Sequence, residues 1–154
     1  MNILFDERLD GELVRRDKAE VLSDLQGAVP SLTLLHREED LRPFECDGLA
    51  AYRVLPMLVA LPETLEQVEG LLKRCHALGV PVVTRGAGTG LSGGALPLEQ
   101  GVLLVMSRFN QIITVDPDAR IARVQPGVRN LAISEAAAPY GLYYAPDPSS
   151  QIAC

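Results

Sequence analysis

The sequence predicts an α+β domain built on a mixed sheet, and three observations predict it. A strand–helix–strand succession occupies residues 57–61, 65–78 and 80–84. A turn-forming Asp116-Pro-Asp-Ala separates two short β-rich runs, 112–115 and 121–124, which read as an antiparallel pair. A glycine-rich loop follows the second strand without the helix that a doubly wound fold would place there. With 154 residues, 47% of them apolar, a compact chain buries about 70% of its unfolded surface and needs no disulfide or metal to hold a core.

Taken in order, residues 17–26 put Val21, Leu22 and Leu25 on one helical face. Asp17 is the expected N-cap, Glu20 follows three residues later, and Gly27 marks the exit. Residues 37–48 are charged, aperiodic and broken by Pro43 and Gly48, and are expected to form a surface connection. A boundary near Ala50 then separates an N-terminal helical extension, 1–50, from a second unit, 51–154. The clearest helix is 65–78. Leu65, Val68, Leu71, Leu72, Cys75 and Leu78 recur at helical spacing, Thr64 with Gln67 makes a capping box, and Gly79 supplies the stop. The apolar run 102–106 reads as a third buried strand. A last helix starts at Asn130 and ends near Ala138, where Pro139 opposes its continuation.

Charge and composition exclude several functions. The net charge of −6 argues against a nucleic-acid or anionic-membrane surface, which needs clustered Lys and Arg. Cys46, Cys75 and Cys154 show no CxxC spacing, and with only His36 and His76 beside them no closed zinc site is expected. Asp6 and Glu7 interrupt any apolar leader, and the longest apolar stretch, 54–61, is far below the roughly 20 residues of a membrane span. A reducing, cytoplasmic setting is expected.

The strongest chemical signal is Thr84-Arg-Gly-Ala-Gly-Thr-Gly-Leu-Ser-Gly-Gly, which holds five of the 13 glycines. Residues without Cβ let successive N–H groups converge on a phosphate, which fits an acidic chain because amide dipoles act locally. A Walker A loop would end in Gly-Lys-Ser or Gly-Lys-Thr, whereas Gly93-Gly94-Ala95 stands there. Gly88-Thr-Gly90-Leu-Ser-Gly93 formally matches the Rossmann fingerprint, and Asp116 can be offered as its ribose acid. Pro97 and Gly101, however, leave no room for its helix. A dinucleotide loop in a non-Rossmann frame remains, beside a glycine turn shaped by packing alone. Tyr140-Gly-Leu-Tyr-Tyr-Ala-Pro-Asp-Pro-Ser-Ser gathers three of the four tyrosines and suits either a planar ligand or a surface turn. Arg85 and Arg129 are candidate anion clamps, against the commoner solvated role of a lone arginine. Cys75 reads as a small core residue, and His76 as part of a helix surface.

Pro81-Val-Val-Thr-Arg-Gly-Ala-Gly-Thr-Gly-Leu-Ser-Gly-Gly-Ala, with Gly127-Val-Arg-Asn-Leu and Tyr144-Ala-Pro-Asp-Pro-Ser-Ser, resembles the FAD-binding domain of vanillyl-alcohol-oxidase type (PCMH-type) flavoproteins. Within that group the likeness is to the FAD-bearing subunits of the glycolate-oxidase family; it runs from the N-terminus to Cys154 and is dense from Tyr52 onward. The resemblance implies FAD as cofactor. Backbone amides of Arg85, Gly86, Ala87, Gly88, Thr89 and Gly90, with Gly93 and Gly94, would wrap its pyrophosphate, and Ser149 and Ser150 would lie along the flavin. It further implies oxidation of a 2-hydroxy acid, glycolate to glyoxylate, by hydride transfer to the flavin. Electrons would leave through partner subunits, an FAD-binding and an iron–sulfur subunit among them, which could also bring the protein to a membrane.

In that family the FAD domain continues and a substrate domain follows with the catalytic residues, so 1–154 reads as the first, incomplete lobe. No catalytic residue is expected within it, and on its own it should bind FAD weakly and be inactive. A non-catalytic nucleotide-binding or assembly module keeps the same loop and stays open as the alternative, as does a structural domain without a ligand.

Overall fold

A computed structural model describes residues 15–146 and 148–153. Two sheets carry the fold. The larger has four strands in the order β1 (Thr33–Leu35), β2 (Leu58–Leu61), β4 (Val102–Val105), β3 (Val82–Arg85). β2 and β3 both run parallel to β4, and β1 is antiparallel to β2. The strand–helix–strand unit is therefore real but split: β4 sits between the two strands that helix α3 (Leu65–Leu78) connects. The apolar runs of β2 and β4 follow from this position. Leu58 and Ala60 with Val102 and Leu104 face one core, Val59 and Leu61 with Leu103 and Val105 face another, and strands buried on both faces read as continuous hydrophobic segments.

The first core is closed by α3 and by α1 (Lys18–Ala28), which brings Val21 and Leu25 against Leu71 and Cys75. The expected caps form. Asp17 accepts from the N–H groups of Ala19 and Glu20, at 2.8 and 3.1 Å, although α1 runs one residue past Gly27. The Thr64–Gln67 capping box is present and Gly79 ends α3 in the left-handed conformation. Gln67 also donates to the Ser31 carbonyl at 3.0 Å, joining α3 to the turn before β1.

The second core is covered by the segment read as a surface connection. It folds into a short helix, α2 (Glu38–Leu41), followed by a 3-10 turn (Arg42–Phe44). Leu41 is buried there, and Phe44 packs against the same cluster. Residues on both sides of Ala50 thus share one sheet and its cores, and β1 makes the first part of the chain more than helical. The hairpin β5 (Ile112–Asp116) and β6 (Ile121–Val124) forms as expected. It does not join the main sheet; it makes a second, two-stranded one, so the mixed character of the first comes from β1. Helix α4 (Asn130–Ala137) packs on β5, and a 3-10 turn (Ala138–Tyr140) carries Pro139.

Candidate functional site

The glycine loop leaves the C-terminal end of β3 and returns at β4 through residues 86–101 without a helix. That confirms the objection to a dinucleotide fold of the Rossmann type. It also puts the loop beyond the carboxyl ends of parallel strands, where α/β sheets commonly bind ligands. A cavity of about 340 Å³ opens beside it, lined by Gly86, Ala87, Ser107, Asn110, Arg129 and Ala153 among others. Arg129, exposed at the start of α4, faces the same cavity as the loop. The two arginines therefore part company, because the Arg85 guanidinium turns back under the loop, donating to the Cys46 carbonyl and lying 5.8 Å from the centroid of the Phe44 ring.

The loop's glycines fall into two groups. Gly88 and Gly93 have φ of +75° and +74°, a region open to glycine and costly for other residues. Gly86, Gly90 and Gly94 do not, and a Cβ added at any of the three meets nothing within 4 Å. Their own chain does not require them to be glycine. All three are exposed, Gly86 on the cavity itself, and leave bare backbone that suits the close approach of a pyrophosphate.

The C-terminal segment reaches this loop through Thr89, whose hydroxyl donates to the Ser150 hydroxyl at 3.3 Å. Gln151 accepts from the Leu131 N–H at 3.2 Å, tying the segment to the first turn of α4. Ser149 is exposed and Asp147 lies outside the described residues. The tyrosines stand elsewhere: Tyr143 and Tyr144 line a separate groove of about 320 Å³ between the hairpin and α4. His36 and His76 are exposed and Cys75 is buried in the core.

Sequence reasoning missed the segment beneath the loop. Asp47, 5% exposed, accepts from the N–H of Leu49 at 2.9 Å and of Ala95 at 3.4 Å. Gly48 lies so close that a Cβ on it would be 2.6 Å from the Thr89 carbonyl oxygen. The Asp-Gly pair was the available signal, but it stands in a charged stretch that has the composition of a surface turn. Gly127 belongs to the Gly127-Val-Arg-Asn-Leu motif, and the structure adds why it is glycine: a Cβ there would fall 1.9 Å from the Met106 carbonyl oxygen.

Fold and loop together define a nucleotide-cofactor domain of the flavoprotein kind. Residues 56–154 match the FAD binding domain family, and the chain belongs to that family; FAD is its cofactor. Over all 154 residues the chain is 65% identical to the glycolate oxidase subunit GlcD of Escherichia coli (strain K12), of which it covers 31%. It is 38% identical over 96 residues to the D-lactate dehydrogenase of Archaeoglobus fulgidus, covering 62% of this chain and 21% of that one. The fold is shared with p-cresol methylhydroxylase, at a TM-score of 0.66 and 24% identity over 80% of this chain and 25% of that one. The chain therefore spans under a third of the curated relatives it matches.

Proposed function

We propose that this chain supplies the pyrophosphate-binding lobe of the FAD site in a flavin-dependent 2-hydroxy-acid dehydrogenase, with glycolate as substrate and glyoxylate as product. The observation that carries the reading is the set Gly86, Gly90 and Gly94. Free space at all three means that the protein's own packing does not account for glycine there, whereas close contact between backbone and phosphate does. In this reading the amides of Arg85 through Gly90, with Gly93 and Gly94, hold the pyrophosphate. Ser149 and Ser150 approach the flavin, and Thr89 links the two parts through Ser150.

Bound FAD would accept a hydride from the α-carbon of the 2-hydroxy acid. This chain's residues bind and orient; no proton-accepting residue is assigned within them. The likeness to a glycolate oxidase subunit supports glycolate over lactate and supports partner subunits; in this reading an iron–sulfur subunit among them takes the electrons on. Among the described residues no helix is long and apolar enough to cross a membrane, so contact with one would come through those partners.

The test is made on the full-length gene product. It should release FAD on denaturation, and anaerobic glycolate should bleach its flavin absorption faster than D-lactate does. Gly90→Ala should leave the apoprotein's unfolding midpoint unchanged while weakening FAD binding at least tenfold, about 1.4 kcal/mol. Unchanged FAD affinity in that variant would sink the assignment of the loop.

A further inference from the structure

We infer that the segment 44–49 is a strap that presets the phosphate loop, with Asp47 and Arg85 as its positioning residues. The inference rests on the FAD reading of the loop and adds to it the machinery that gives the loop its shape.

The strap touches the loop at its start, apex and end. At the start, Arg85 donates to the Cys46 carbonyl and lies over the Phe44 ring. At the apex, a Cβ on Gly48 would be 2.6 and 2.7 Å from the carbonyl oxygens of Thr89 and Gly90. At the end, Asp47 accepts from Ala95 while its other oxygen accepts from Leu49. A buried carboxylate beside an anion site would repel the ligand if it faced it. Asp47 does not line the cavity and has both oxygens engaged by backbone N–H groups, so it acts on the loop and not on the phosphate.

The apex contact also holds the loop's backbone. The Thr89 and Gly90 carbonyl oxygens lie where a side chain on residue 48 would stand, so glycine at 48 lets the strap press directly against the loop backbone and keep it in place before the ligand arrives.

The experiment uses the full-length protein, wild type, Asp47→Asn and Arg85→Gln, each freed of cofactor and titrated with FAD and with ADP. ADP carries the pyrophosphate without the flavin. Asp47→Asn replaces one acceptor by a donor facing a backbone N–H, and should weaken both ligands by a similar factor, roughly tenfold. Affinities are referred to the folded fraction, so a purely structural loss does not imitate the effect. Should Asp47→Asn fail to fold, Arg85→Gln releases the other end of the loop and is expected to give the same paired loss. Amide hydrogen exchange of residues 86–95 in the apoprotein should quicken in the variant. Folded variants that bind both ligands as wild type does, or exchange at an unchanged rate, would overturn the inference. A wild-type protein without FAD would instead overturn the flavin reading, and the exchange experiment would still decide the strap.

Discussion

The guanidinium of Arg85 fills the space in which residue 88 would carry a side chain: a Cβ built on Gly88 falls 2.3 Å from the Arg85 Cζ. Gly88 is held to glycine by its neighbour as well as by its φ of +75°. Gly88→Ala should therefore cost more than the left-handed backbone alone, which is about 1–2 kcal/mol, because Arg85 must also leave Cys46. The two causes separate in a double-mutant cycle. Arg85→Ala combined with Gly88→Ala should cost less than the sum of the single changes, since the clash is then absent and only the strain remains. Chemical denaturation of the four proteins measures it, and strict additivity would contradict the contact.

Gly127 and Gly86 predict opposite responses to the same substitution. At Gly127 a Cβ would overlap the Met106 carbonyl oxygen at 1.9 Å and approach that of Phe109 at 2.8 Å. Backbone atoms cannot step aside as a side chain tip can, and the Gly127 N–H already donates to Phe109 at 2.9 Å. Gly127→Ala should destabilise by about 3 kcal/mol or fail to accumulate as folded protein. At Gly86 the space is open, and alanine there should be neutral, or stabilising by a few tenths of a kcal/mol through the unfolded chain. Unfolding midpoints of the two apoproteins provide the comparison.

The elements legible in the sequence were those whose signal is local. Helix α3 carries its cap and its glycine stop within 64–79, and both appear in the structure; of its apolar series Val68, Leu71, Cys75 and Leu78 face the core, while Leu65 and Leu72 are exposed. The burial of β2 and β4 was legible in runs of Val and Leu. What escaped was set by distant residues. The three-residue strand β1 exists because Thr33–Leu35 finds Val59–Leu61, and no three-residue pattern announces that. The insertion of β4 between β2 and β3 is a choice among sheet orders that periodicity does not make. The tie from Asp47 to Ala95 spans 48 positions, so a residue buried under the loop looked like one more acid in a charged stretch. In the site itself, glycine density marked the loop, while the division into glycines the fold requires and glycines it does not is set by backbone φ and by through-space neighbours such as the Arg85 guanidinium.

The ion pair between Asp24 on α1 and Arg74 on α3 makes acid sensitivity predictable. Arg74 grips both carboxylate oxygens of Asp24. That hydrogen bonding, partly opposed by burial and supplemented by the charge of Arg74, holds the carboxyl below its ordinary 3.8. The unfolded chain therefore binds this proton more readily than the folded one. The stability it contributes is complete above pH 3.8 and is lost as pH falls through the lower folded value. Asp24→Asn should be less stable than wild type near neutrality, and the gap should narrow as the solution is acidified below that point. Urea midpoints across the acid range test this; a gap that stays constant would mean that the pair contributes by shape and not by charge.

Cys75 predicts the alkaline limb. It lies one residue from Arg74, 1% exposed in the core between α1 and α3. Burial first, and the nearby Asp24 carboxylate second, push its thiol from 9.0 up to about 11. The thiol thus stays protonated in the folded protein at pH values where the unfolded chain has lost the proton. Stability from this source is full below pH 9.0 and declines as pH rises toward about 11, by on the order of 2 kcal/mol over the interval. Cys75→Ala should lower stability at neutral pH through the lost packing of its sulfur and flatten the decline above pH 9.0. The same burial makes a kinetic prediction. In the native protein below pH 9.0, Cys75 should resist alkylation long after the half-buried Cys46 has reacted, and become reactive only at the rate of unfolding. Peptide mass mapping after timed iodoacetamide treatment reads both thiols at once, and equal labelling rates would show that the space between α1 and α3 opens far more readily than its packing implies.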